Sequence, residues 1–431
     1  MRRVVLLAGG VLLAGASVFV NAGPDHKPKK PTPKASIQGE SLVAAPSGPI
    51  TTPSQLSVDT KTSDVLSDLQ LDKLTLEDGH YVAPLKDGRR AVLTLDPDLQ
   101  KLAEKLLDQS RAPRGAIVAM SPDGRILALA GRRTEEPKGG KTGTFDYKLA
   151  TDVWAPAASV FKLVTATSLV ANGYDPSEKV CYHGGVRSVM ESNLSDSKSD
   201  NNCETLAYGV AHSNNAILGK LAFQKLEPSL LDRTARDLGW ASKQELGVEA
   251  TCGELALPEK KDLEFAKAAA GFQGSRLSVL GGAMLVSTFA GKGEQPQPRI
   301  IDSIAGKPVD PGKPHRVIDE KVAEAVTKMM VGTCASGSAA KSFRRSDNNV
   351  AGKTGTLTTN KPFYMEHSWF VGFAPADKPE IIVSVLLGNP ESWHLRGHEA
   401  AKRMIDRALS AKSSAPDLSD EPSKSAAKRP K

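Results

Sequence analysis

Two strand–turn–strand blocks stand at opposite ends of a helical middle, and they limit the folds open to this chain. "GAIVAMSPDGRILALAG" (115–131) carries two apolar runs around Pro122-Asp123-Gly124, where proline presets φ and glycine supplies a positive one. "SWFVGFAPADKPEIIVSVLLG" (368–388) repeats the arrangement far downstream, and helical patterns dominate residues 203–290 between them. A lone hairpin is marginal in water, so strands from both ends predict one mainly antiparallel sheet flanked by helices. That is an α+β domain, expected over residues 89–410. "RAVLTLD" predicts a strand and Pro97 to about Gln109 a helix before the first block; a closing helix from about Gly397 to Ser410 follows the second. Residues before Arg90 are weakly patterned and receive no assignment.

The net charge of +7 invites a nucleic-acid reading, so its location matters. Residues 1–34 carry +5 and residues 411–431 carry +2, which leaves the body formally neutral. Without a basic face, nucleic acid is not an expected partner. The segment "MRRVVLLAGGVLLAGASVFVNAG" has a basic start, an apolar run from Val4 to Val20 and small residues at Val20-Asn21-Ala22. It reads as a signal peptide or a single membrane anchor over residues 1–22, and either places the rest outside the cytoplasm. Residues 23 to about 57 are rich in Pro, Ser, Thr and Lys and read as a linker; 411–431 reads as a disordered basic tail. In an exported chain, Cys181, Cys203, Cys252 and Cys334 allow three pairings. Cys181 with Cys203, across a short polar loop, is the expected pair. No CxxC or His/Cys cluster calls for a metal, and no cofactor is expected.

The chemistry starts at "WAPAASVFKLVTATSLVANG" (154–173), read as a helix from Pro156 to Gly173. Lys162 lies three residues after Ser159, on the same helical face and within reach of its oxygen. Val160, Phe161 and Leu163 desolvate the amine, which disfavours its charged form and makes it a base beside a nucleophile. Ser-x-x-Lys recurs at Ser195-Lys198, Ser338-Lys341 and Ser425-Lys428, but these lie in a polar loop, a small-residue segment and the tail. Ser159 alone opens a long apolar helix. Downstream, Ser213-Asn214-Asn215 sits between two helical runs, and Lys353-Thr354-Gly355 lies in the strand pattern "NNVAGKTGTLT". Decoys at Ser199-Asp200-Asn201, Ser346-Asp347-Asn348 and Lys141-Thr142-Gly143 lack those settings.

Ser-x-x-Lys, Ser-x-Asn and Lys-Thr-Gly in that order resemble the active-site serine penicillin-binding proteins and β-lactamases. "AVLTLDPDLQ", "GAIVAMSPDGRILALAG", "AAGFQGSRLSVLGGAMLVSTFAGKGE" and "HSWFVGFAP" resemble further segments of the penicillin-binding transpeptidase domain. The resemblance implies a β-lactamase/transpeptidase-like fold with an all-helical subdomain and the active site between it and the sheet. It implies Ser159 as the nucleophile on D-Ala-D-Ala peptides, Lys162 as its base and Ser213 as the proton relay. Asn215 would hold Lys162 and the substrate amide, Lys353 would supply positive charge, and Thr354, Gly355 and Thr356 would form the carboxylate site. Backbone N–H groups of Ser159 and Thr356 would make the oxyanion hole. Peptidoglycan stem peptides and β-lactams become the expected ligands, with a glycosyltransferase among the candidate partners.

Three rivals share parts of this reading. A D,D-carboxypeptidase uses the same acyl-enzyme with water as acceptor. A β-lactamase would need a deacylating glutamate, and Glu227 and Glu254 lack the family context. A non-catalytic scaffold would not need all three motifs, and a penicillin sensor would be expected to carry several membrane segments and a cytoplasmic output domain. The 88 residues before the domain are short for a glycosyltransferase module or a pedestal, so a near-solitary transpeptidase domain is expected. His212 and His367 adjoin the site motifs, but the lysine already supplies a base; Trp369 and Phe370 read as core and cleft wall.

Overall fold

The computed structural model describes residues 68–140 and 143–413, with side chains through 410. The expected leader, linker and tail beyond Ser413, and the Lys141-Thr142 decoy, lie outside them. A six-stranded antiparallel sheet runs in the order Ala351–Thr359, Met365–Ala374, Ile381–Asn389, Arg114–Met120, Ile126–Arg133, Thr144–Phe145. Its two halves come from opposite ends of the domain and join where Ile381–Asn389 pairs with Arg114–Met120, Ser384 opposite Val118. This join is the one the two hairpin blocks require.

Both faces of the sheet are covered, which is why its strands read as nearly unbroken apolar runs. Side chains alternate along each strand. Ile117, Ala119, Val383 and Val385 pack with Leu106 of helix Pro97–Ser110 and with Met404 and Ile405 of helix Gly397–Ser413. Val118, Met120, Ile382 and Val371 turn the other way, into the larger core with Leu280, Ala283 and Val286 of helix Val279–Ala290. That helix is buried along its whole length and anchors the helical part of the molecule to the sheet.

The structure revises four expectations. First, packed structure begins before residue 89. Leu69, Tyr81, Ala83 and Leu85 are buried, and His80–Pro84 pairs with Thr75–Glu77 and Arg90–Leu93 in a second sheet that also takes Ile301–Ile304. The signal was an Asp78-Gly79 two-residue turn, both residues at positive φ, whose flanking strands are too short to show a period. Second, the stretch 203–290 is not wholly helical. Three-residue strands at Lys243–Glu245, Glu249–Thr251, Gly253–Leu255 and Ser275–Leu277 interrupt it. Third, the segment starting at Pro156 is not one helix. Ala155–Pro156 pairs with Ser275–Leu277, Ala158–Phe161 is a 3-10 turn, and regular α-helix spans Lys162–Ala171. Fourth, the strand expected from Ser368 starts at Met365, so His367 lies inside it.

Candidate active site

The turn that carries Ser159 is held by its neighbours rather than by a helix cap. Ala158 adopts a left-handed φ of 50°, unfavourable for a residue with a Cβ, immediately before half-buried Ser159. Trp369, on the strand next to Lys353, donates its indole N–H to the Pro156 carbonyl at 2.9 Å. Gly271 closes the turn from the other side. A Cβ there would lie 2.1 Å from the Ala158 oxygen, and its φ of +89° is one that L side chains rarely adopt.

Lys162 is fully buried beneath that turn. Its Nζ lies 2.8 Å from Ser159 Oγ, 2.7 Å from Asn215 Oδ1 and 2.6 Å from the Ala270 carbonyl oxygen. A neutral amine has two hydrogens and one lone pair. Donating to the two carbonyl oxygens leaves the lone pair to accept the Ser159 O–H. An ammonium could satisfy the same partners, so desolvation decides. Burial first, and the Lys353 charge second, hold Lys162 well below its ordinary range.

The Ser-x-Asn turn joins helices Leu206–Ala211 and Asn215–Lys225. Ser213 takes a φ of 57° there. The Val186 carbonyl receives both the backbone N–H of Asn215 (3.2 Å) and its Nδ2 (3.1 Å), so the amide oxygen is turned to Lys162. Val186 belongs to a loop closed by a Cys181–Cys203 disulfide. Fully buried Lys220, on the Asn215 helix, braces the loop through Asp200 and the Cys181 carbonyl, each at 2.8 Å. The other two cysteines, Cys252 and Cys334, are buried free thiols.

Lys353 comes from the edge strand Ala351–Thr359 and is also fully buried. Its amine donates to Ser213 Oγ at 3.0 Å and to the Thr354 carbonyl at 2.9 Å. Burial lowers it to about 7, so at neutral pH it is divided between its two forms. Thr356 is exposed on the same strand, and buried Gly355 approaches the Ser159 turn at Ala157 and Ala158.

Ser159, Lys162 and Asn215 form one hydrogen-bonded group and Ser213 with Lys353 a second, each through contacts of 3.0 Å or less; Ser213 and Asn215 share one turn, and Thr354–Thr356 continue from Lys353 along its strand. The amino-acid sequence matches the family profile described as "Penicillin binding protein transpeptidase domain" over residues 115–409. The chain belongs to the penicillin-binding protein transpeptidase family. Among relatives of this family, it is 27% identical over 374 residues to stage V sporulation protein D of Bacillus subtilis, covering 82% of this chain and 57% of that one. It is 24% identical to penicillin-binding protein PbpB of Mycobacterium tuberculosis, covering 73% and 50% respectively. The chain thus spans about half the length of these curated relatives. In fold it is similar to penicillin-binding protein 3 of Mycobacterium tuberculosis, with TM-score 0.64, 21% identity, and 82% and 89% of the two chains covered. The D,D-transpeptidase domain of a peptidoglycan glycosyltransferase from Eggerthella lenta aligns with TM-score 0.61 and 24% identity, covering 75% and 84%.

Parts of this site carried no side-chain signal. The Ala270 and Val186 carbonyls act through the backbone, and Gly271 beside Ala270 is a residue that could have marked a close approach. The histidines stay outside. Exposed His212 stacks on Tyr208. His367 is buried, hydrogen-bonded to Thr359 and lowered to about 4 by burial, then by Arg114 and Arg276. Trp369 and Phe370 are buried. Glu227 and Glu254 are exposed and ion-paired with Lys261 and Arg276.

Proposed function

We propose that this chain is a serine-type peptidoglycan D,D-transpeptidase acting on D-Ala-D-Ala stem peptides through a Ser159 acyl-enzyme, and that β-lactams trap that intermediate. The observation that carries the reading is the fully buried Lys162 amine, 2.8 Å from Ser159 Oγ. As Ser159 Oγ attacks the penultimate D-Ala carbonyl carbon, Lys162 takes its proton. The oxyanion forms between the Ser159 and Thr356 N–H groups, a contribution typically worth about 10²–10³ per donor in rate. The carbonyl C–N bond breaks as Ser213, hydrogen-bonded to Lys353, gives its proton to the departing amine of the terminal D-Ala and is reprotonated with the proton that Lys162 took from Ser159. An acceptor amine from a second stem peptide then attacks the ester carbonyl, the bond from that carbon to Ser159 Oγ breaks, and the amine's proton returns to Ser159, completing a cross-link. Water in its place would give the carboxypeptidase outcome.

Lys353, Thr354 and Thr356 receive the terminal carboxylate. An incoming anion favours the charged form of Lys353, whose burial otherwise disfavours it. Because peptidoglycan lies outside the cytoplasm, the activity requires export, which we assign to residues 1–22. No helix among the described residues is long and apolar enough to cross a membrane. A glycosyltransferase that makes the glycan strands is the partner this chemistry needs.

The test is labelling of the full-length chain with a fluorescent penicillin, followed by intact mass over time. A stable adduct on Ser159, absent from Ser159→Ala, supports the proposal. An adduct that clears within seconds would make the protein a β-lactamase, and no adduct would favour a scaffold.

A further inference from the structure

The Ser338-Lys341 pair, discounted as a decoy, stands at the active site. Helix Glu320–Ala335 ends just before it, and the chain turns so that Ser338 Oγ lies 2.5 Å from Thr354 Oγ1. The backbone leaves little freedom in this. Ser338 N–H donates to the Ala211 carbonyl at 3.0 Å, and Ala339 N–H donates to the Thr333 carbonyl at 3.0 Å. A Cβ on Gly337 would lie 2.1 Å from the Ala211 oxygen, so this segment is pressed against the end of the helix that precedes Ser213. Ala339 is buried, whereas the Ser338 side chain is exposed beside the carboxylate strand. Ser338 therefore joins the Ser213 element to the Thr354 strand. Lys341 is exposed, and the Ser338 hydroxyl is directed to Thr354 rather than to it, so this pair is not a second nucleophile and base.

Each hydroxyl has one hydrogen, and in an O···O pair only one of them donates. If Thr354 donated to Ser338, it would present only lone pairs to an arriving anion. If Ser338 donates, Thr354 keeps its hydrogen for the anion, and the two bonds polarise one another. We propose that Ser338 is a positioning residue for the carboxylate site: its O–H donates to Thr354 Oγ1 and directs the Thr354 O–H to the ligand's carboxylate. This rests on the Ser159 acyl-enzyme reading above and adds a specificity determinant to it. Ser338 touches neither the scissile bond nor the proton path, so its effect is confined to ligands that bear the anion.

The test compares Ser159 acylation of the full-length chain by benzylpenicillin and by its uncharged methyl ester, each read by intact mass as a second-order rate constant. Loss of a hydrogen bond that serves a charged group predicts that Ser338→Ala slows benzylpenicillin about tenfold. The ester should change less than about twofold, Ser338→Thr should restore the benzylpenicillin rate, and in a Thr354→Val background Ser338→Ala should add nothing. An equal loss with both probes, or no loss with either, overturns the inference while leaving the acyl-enzyme intact. Failure of the unaltered chain to acylate with benzylpenicillin would instead overturn the function on which the inference rests.

Discussion

Lys162 Nζ sits 2.6 Å from the Ala270 carbonyl oxygen, 108 residues downstream, so a distant segment of the chain orients the buried amine beside Ser159. Ala270 O and Asn215 Oδ1 occupy the two N–H directions of a neutral amine, which points the remaining lone pair at Ser159. Lys162→Met keeps much of the side-chain volume and removes the base. Acylation by a penicillin should fall by about 10²–10⁴. Circular dichroism should show the fold retained, and a rate close to that of the unaltered chain would sink the assignment of the base.

Asn215 offers a way to move that base without deleting it. Its amide oxygen contacts Lys162 at 2.7 Å. Asn215→Asp places a carboxylate there, which favours the ammonium and raises the Lys162 pKa. The ascending limb of the acylation pH profile should shift to higher pH. An unshifted limb would mean that some other group titrates in it.

Lys353 should set the descending limb. Burial lowers it to about 7, so the free enzyme loses its carboxylate-binding charge as pH rises through that value. Acylation by a carboxylate-bearing penicillin should decline above about 7, and Lys353→Arg should extend the plateau. The same group affects stability. Between about 7 and its ordinary 10.5 the unfolded chain binds a proton that the folded chain does not, so this lysine's destabilising effect fades as pH rises through that window. Relative to Lys353→Met, the unaltered chain should gain in melting temperature from pH 7 to 9.

Gly271 tests whether the nucleophile turn depends on its neighbour. Gly271→Ala adds a Cβ 2.1 Å from the Ala158 oxygen at a φ of +89°. The variant should lose more than about 1 kcal/mol of stability in urea unfolding. Its acylation should be slower still at temperatures where it remains folded. Normal acylation in a stable variant would show that the turn is indifferent to this contact.

The disulfide closes the loop that supplies the Val186 carbonyl. Cys181 and Cys203 are 22 residues apart. Chain-entropy arguments put the stabilisation from such a closure at roughly 3 kcal/mol. Cys181→Ser with Cys203→Ser should lower the melting temperature, and dithiothreitol should then have no further effect. An unchanged melting temperature would mean that Lys220 and Asp200 hold the loop without it.

Much of the molecule was legible along the chain because its signals are local. The hairpins carry their own turn residues, the main helices their own periods or caps, and Ser159 and Lys162 lie within one turn of each other. Their settings, a following apolar helix and a strand pattern, then separated Ser213, Asn215 and Lys353 from their decoys. The short strands near residues 75–84 and 243–255 were obscure because three to five residues carry little periodicity, and their pairing is set by partners elsewhere. The break of the Pro156 segment into strand, 3-10 turn and helix was equally hidden, since Ser275–Leu277 and Trp369 impose it from outside.

By itself, the amino-acid sequence determined the α+β class, the union of the two ends in one sheet, and the residue types gathered at the site. Only the tertiary structure decided how those groups behave. The protonation of Lys162 depends on burial and on the Lys353 charge, and the surroundings of Thr354 depend on a serine that Ser-x-x-Lys spacing alone misassigns. A titratable group responds to the dielectric and to the partners around it, and folding brings those partners from segments distant in the chain.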